Sequence, residues 1–92
     1  MAESLAKREA MVELKRKACA LEAVKMIDDH MVIGLGAGRN VERLIQEISQ
    51  LLARGYSLRF VTWSMTSELQ CRRLGFQLVP MHSIDHVDIT FD

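Results

Sequence analysis

Seven consecutive residues, Gly34-Leu35-Gly36-Ala37-Gly38-Arg39-Asn40, place three glycines after an apolar run and before a helical repeat. A backbone without side chains at that junction can wrap an anion, and the free N–H groups of a helix start point at it. Gly36, Ala37, Gly38, Arg39 and Asn40 are therefore the candidate phosphate-binding residues, with the Arg39 and Asn40 side chains as donors to a phosphate or carboxylate. The same glycines also suit a tight strand-to-helix turn that binds nothing, and Arg39 has Glu42 and Glu47 as alternative partners. Both readings stand on the residues alone. A dinucleotide fingerprint is excluded, because Arg39 occupies the place of its last glycine and Val61, Thr62 and Trp63 stand where an acidic residue would close the second strand. No lysine followed by Ser or Thr completes a nucleoside triphosphate loop.

A second polar group, Ser64, Thr66 and Ser67, follows the next apolar run. In a parallel sheet these hydroxyls emerge on the same edge as the glycine loop, so Ser64 and Ser67 can share one phosphate with it. Ordinary N-capping of the following helix accounts for them equally well. Trp63, the single tryptophan, reads as a packing residue. His82 and His86 have the spacing of a helical metal pair, but Pro80, Ser83 and Asp85 mark a loop there, and no metal site is expected. Of Asp85, Asp88 and Asp92, only Asp92 falls at the C-terminal end of a strand, from which α/β proteins present catalytic carboxylates. Met26, Met31 and Met65 read as core filler.

The elements that position these groups follow from periodicity. Ser4 to Ile27 is helical, with Leu14, Ala18, Leu21 and Val24 as the apolar stripe that covers the body. Its first turns set Lys7, Arg8, Lys15, Arg16 and Lys17 against Glu3, Glu9 and Glu13, a solvated face. Met31 to Leu35 is a strand buried on both faces. Asn40 caps a second helix built on Val41, Leu44, Ile45, Ile48 and Leu52 and stopped by Gly55. Leu58–Thr62 is a second strand, Thr66–Leu74 a third helix ended by Gly75, Gln77–Val79 a third strand halted by Pro80, and Val87–Phe91 a fourth. Strands alternating with helices imply right-handed parallel crossovers. The expected class is α/β, a three-layer Rossmann-like half domain with a mainly parallel sheet and flanking helices.

Ninety-two residues, 49% apolar and 26% charged, form one small folded domain. Twelve basic residues offset twelve acidic ones, so no overall field draws the chain to nucleic acid or anionic lipid. Cys19 and Cys71 read as reduced thiols, and neither a signal peptide nor a membrane span is apparent, which makes cytoplasm the expected address. A last strand that stops at Asp92, where a functional loop belongs, reads as a chain cut short, and exposed strand edges favour a homodimer or pairing with a missing C-terminal portion.

From about Lys17 to Asp92, the GLGAGRN loop, the VTWSMTSELQCRRLGF segment and the closing SIDHVDITFD together resemble the N-terminal part of type A ribose-5-phosphate isomerase. Gly34, Leu35, Gly36 and Gly38 match that family's GLGTGST loop, Ser64 and Ser67 fit its TSxxT-like segment loosely, and Asp92 coincides with the first aspartate of DGADE. The resemblance implies interconversion of ribose 5-phosphate and ribulose 5-phosphate through an enediolate, without metal or organic cofactor, in the pentose phosphate pathway. It also implies a phosphorylated pentose as partner and Asp92 as a catalytic group. None of the rest of DGADE, the KGGG loop or the downstream glutamate is present, so a truncated or degenerate member retaining at most sugar-phosphate binding is expected. Ala37, Arg39, Asn40 and Trp63 depart from the family pattern. A non-catalytic phosphosugar-sensing or oligomerisation module is the alternative.

Overall fold

The computed structural model describes residues 4–92, so Glu3 lies outside the described residues. Helix α1 (Leu5–Val24) begins at Ser4, whose hydroxyl accepts the Lys7 N–H at 3.2 Å and so satisfies one of the unpaired amides of a helix start. It ends where the amides of Lys25, Met26 and Ile27 tighten onto the carbonyls of Glu22, Ala23 and Val24. His30 then takes φ +67°, and the Asp29 carboxylate pins this turn by accepting the N–H groups of His30 at 2.9 Å and Ser57 at 2.6 Å. The Ser57 amide is the main reason that the Asp29 carboxyl sits below the usual carboxylate range.

Strand β1 (Val32–Leu35) is buried along its whole length because it runs between two parallel neighbours, β2 (Arg59–Thr62) and β3 (Ile89–Phe91), in the order β2-β1-β3. Ile33 pairs with Phe60 on one side and Ile89 on the other. Gln77–Val79, expected as a strand, contributes a single parallel bridge between Phe60 and Leu78. The Phe60 N–H donates to Gln77 and the Val79 N–H to Phe60, and Pro80 then has no N–H with which to extend the ladder. The fourth expected strand is shortened to β3, since Asp88 spends its side chain rather than only its backbone on β1.

Helix α2 (Arg39–Ala53) starts two residues earlier than expected. Gly38, at φ +115°, is the N-cap instead of Asn40, which lies within the first turn. The stop at Gly55, φ +96°, is as expected, and the Tyr56 N–H returns to the Leu51 carbonyl at 3.1 Å. Helix α3 (Met65–Arg73) is capped by Ser64 and closed by Gly75 at φ +76°.

One hydrophobic cluster joins Ile33, Leu35, Phe60 and Leu58 of the sheet to Ala20 of α1, Leu44, Ile45 and Ile48 of α2, and Cys71 of α3. The α/β Rossmann-like half domain is thus present, and the three helices share one face of its sheet. The opposite face carries Val32, Gly34 and Val61. Burial, with a smaller contribution from Glu68, pushes the Cys71 thiol up to about 11, so it is un-ionised and inert at neutral pH. Two expectations fail here. The stripe that meets the body is Ala20, Ala23, Val24 and Ile27, whereas Leu14 and Leu21 point to solvent, 66% and 43% exposed. Met26 and Met65 are also exposed rather than core, the first in the turn after α1 and the second at the start of α3.

Arg43 fastens α2 to α1 through an ion pair at 3.1 Å to Glu13, and Glu47, one turn on in α2, holds the same guanidinium at 3.1 Å. Among the described residues no helix is long and apolar enough to cross a membrane.

Asp88 closes the β3 edge: its carboxylate accepts the Val32 N–H at 2.7 Å while its own N–H donates to the Val32 carbonyl at 2.8 Å, and His86 lies 3.1 Å away. The Val32 amide, more than His86 or Arg59, holds the Asp88 carboxyl below its ordinary value. A depressed folded-state pKa adds stability above the unfolded value, and that stability is lost as pH falls through the folded one. The melting temperature of the native chain is therefore expected to exceed that of Asp88→Asn at neutral pH, with the gap closing in acid. A gap independent of pH would show that the charge is not what β1 uses.

Candidate functional site

The parallel strands all deliver their C-terminal ends to one edge of the sheet. The chain leaves β1 for β2 on one side and returns to β3 on the other, so the β1–β3 crevice is the point where strand order reverses. Open α/β sheets bind ligands at such crevices. Gly36 and Asp92 meet there. The Gly36 N–H donates to the Phe91 carbonyl at 2.8 Å, and the Ala37 N–H donates to the Asp92 carboxylate at 3.3 Å. A Cβ at position 36 would run into the Asp92 carboxylate, so only glycine lets the two segments touch.

Ser67 is fully buried and its hydroxyl donates to the Gly36 carbonyl at 2.6 Å. The Ser67 N–H in turn donates to the Ser64 hydroxyl at 3.4 Å, the N-cap bond of α3. The two serines expected as ligand donors thus have structural duties. Ser64 is half-buried and caps a helix, and Ser67 clamps the glycine loop from behind. Thr66 is exposed.

Gly38, Arg39 and Asn40 are exposed, and their N–H groups find no acceptor among the described residues. They form the first turn of α2, where the peptide dipoles leave a partial positive charge. The Arg39 side chain adds a full one. Asn40 also borders a cavity of about 120 Å³ whose walls include Cys19, Ala23, Phe91 and Asp92. Donors to an anion and an acceptor for a hydroxyl therefore stand side by side, the amides and Arg39 on one hand and the Asp92 carboxylate on the other.

Trp63 does pack, though half of it stays exposed at 51%. Its ring crosses the sheet face so closely that a Cβ at Gly34 would lie 3.1 Å from its Cζ3 and 3.0 Å from the Thr90 hydroxyl. Thr90 and the Phe91 carbonyl are site-edge groups that nothing local in the sequence singles out, since each acts on a residue more than fifty positions away. His82 sits in a short 3₁₀ turn (Met81–Ser83) and His86 beside Asp88. No group of three or more His, Cys, Asp or Glu forms a metal-binding cluster among the described residues.

No family model matches the chain. Among curated proteins, ribose-5-phosphate isomerase A of Lactobacillus delbrueckii subsp. bulgaricus is 40% identical over 81 residues, covering 87% of this chain and 35% of that enzyme. Ribose 5-phosphate isomerase A of Methanocaldococcus jannaschii superposes with a TM-score of 0.81 at 31% identity, over 87% of this chain and 36% of that one. A D-ribose-5-phosphate isomerase in complex with phospho-erythronic acid also superposes at a TM-score of 0.81 and 31% identity, over 85% and 35%. The chain spans about a third of the length of the relatives it matches. In sequence and in fold alike, it matches the N-terminal part of ribose-5-phosphate isomerase A.

Proposed function

We propose that the crevice between β1 and β3 binds a phosphorylated pentose of the ribose 5-phosphate class. The phosphate lies on the Gly38, Arg39 and Asn40 amides and the Arg39 guanidinium, and a sugar hydroxyl donates to Asp92. The observation that carries this reading is the meeting of Asp92 with the glycine loop at the strand ends, held from behind by Ser67. A solved relative in complex with phospho-erythronic acid, a sugar-acid phosphate, supports the ligand class.

These residues bind and orient the substrate of an aldose-ketose isomerase of the pentose phosphate pathway, in the cytoplasm. Asp92 touches the substrate and is the one catalytic group assigned. The carboxylate accepts the Ala37 N–H, which fixes its direction and leaves its other oxygen for a sugar hydroxyl. Proton transfer between the two carbons needs a base aimed at carbon and donors at the developing oxyanion. Neither is supplied by Gly36–Asn40, Ser64 or Ser67, so binding without rapid turnover is the expected behaviour of these 92 residues.

Calorimetric titration of the whole chain tests this reading. Saturable heat is expected with ribose 5-phosphate and not with ribose, and inorganic phosphate should compete. Absence of heat from demonstrably folded protein would remove the proposal. Gly36→Ala should push Asp92 off the loop and break its bond to Ala37, lowering ribose 5-phosphate affinity by about tenfold, the worth of one charge-assisted hydrogen bond. Unchanged affinity in that variant would release Asp92 from any role in binding.

A further inference from the structure

Helix α3 reaches the neighbourhood of the crevice at two points, and only one of them answers a need of the backbone. Ser67 satisfies the Gly36 carbonyl in a place closed to water. Three residues on, and so on the same face of α3, Gln70 donates its Nε2 to the Glu42 carbonyl at 2.9 Å. That carbonyl lies inside α2, where the helix already supplies it with the amide four residues later. A carbonyl only accepts, so the Gln70 nitrogen must face it and the Gln70 oxygen is left on the other side. Oε1 is buried there and accepts nothing among the described residues. A side chain that leaves its own acceptor unpaired in order to reach a carbonyl already served does little for folding. Such groups are few in native proteins, and each has a reason other than stability.

We propose that Gln70 is a positioning residue for anion binding, an inference that rests on the phosphate-binding reading of the glycine loop. The two α3 contacts bracket a short arc of chain. Gly36 and Glu42 stand at its ends, and the unpaired amides of Gly38, Arg39 and Asn40 lie between them. Ser67 fixes where the arc begins and Gln70 fixes the turn of α2 in which it ends. One helix thus sets the direction of all three amides before a phosphate arrives. Groups ordered in advance spare the ligand the cost of ordering them, so a bond that adds little to folding adds to affinity. Gln70 acts through α2 and touches no ligand atom itself.

Gln70→Met tests the assignment, because methionine keeps the length and helix propensity of glutamine while removing both its donor and its unpaired oxygen. Nuclear magnetic resonance titration of the full chain with ribose 5-phosphate and, separately, with inorganic phosphate should give affinities about three- to tenfold below native for both, the worth of one neutral hydrogen bond. The urea midpoint should stay at the native value or rise. Without ligand, amide exchange should quicken at Glu42, whose N–H closes the first turn of α2 onto the Gly38 carbonyl at 3.0 Å, and should not change along the rest of that helix. Unchanged affinities or unchanged Glu42 exchange overturn the proposal. So does a midpoint that falls along with affinity, which would make Gln70 an ordinary packing residue, or a loss confined to ribose 5-phosphate, which would place the effect on the sugar. A native chain that binds neither ligand removes the phosphate-binding reading and the proposal with it, whereas failure of the variant alone leaves that reading standing.

Discussion

Phe60→Ala is expected to cost about 3–5 kcal/mol of folding stability, the usual penalty for emptying a fully buried aromatic site. Phe60 has no exposed surface, lies in β2 next to the central strand, and stacks on Phe76 with ring centroids 4.6 Å apart. It faces Ile33 in the register of the sheet, so the lost ring leaves space beneath both the central strand and the helices. A domain of this size has roughly 5–14 kcal/mol in all. One substitution therefore removes from about a fifth to all of it. Urea unfolding should show a midpoint shifted steeply down with an unchanged slope, since the area exposed on unfolding is similar. Phe60→Leu, which keeps most of the volume, should cost less than about 1.5 kcal/mol. If the two variants proved equally damaging, cavity formation would not be the cause.

Ser67→Ala is the second change with a large expected effect, and it acts on the site as well as on stability. The hydroxyl is the donor that satisfies the Gly36 carbonyl in a place closed to water. Deleting it leaves that acceptor unpaired, at about 1–3 kcal/mol. The loop that carries the Gly38, Arg39 and Asn40 amides then loses its support from α3, and ribose 5-phosphate affinity should fall with stability. Thr66→Ala, one residue away and exposed, should leave both within error. Measuring urea midpoints and titration heats on the same preparations separates the two effects. Stability lost without affinity would mean that Ser67 supports the fold but not the loop's binding geometry.

Much of the fold was legible because local signals and tertiary packing agree. Val41, Leu44, Ile45 and Ile48 repeat at helical spacing, and all four are buried against the sheet. Gly55 and Gly75 stop their helices in the left-handed conformation expected of them. Legibility failed where a choice depends on partners distant in sequence. Helix α1 offers two stripes, Leu14-Ala18-Leu21 and Ala20-Ala23/Val24-Ile27, and periodicity alone cannot tell which one meets the body. Gln77–Val79 has the composition of a strand, yet Pro80 limits it to one bridge. In the candidate site, residue type and the resemblance single out the glycine loop and Asp92, which the structure brings into contact. The clamp by Ser67 was not legible, because its hydroxyl partner is a carbonyl 31 residues earlier and no local pattern encodes that bond.

Asp92 reaches Ala37 across 55 residues of chain, and the strand that carries it, β3, is three residues long and lies at the sheet edge. Short edge strands open at far lower free energy than the core they border. Opening β3 releases the Gly36 and Ala37 amides together with Asp92, while β1, β2 and α2 stay folded around the main cluster. Occupancy of the crevice and docking of the edge strand are then a single coupled equilibrium. Any ligand that needs both Asp92 and the glycine loop draws β3 closed, and its observed affinity carries the cost of closure. Slowed amide exchange at Gly36 and Ala37 would report occupancy even where the ligand itself is silent.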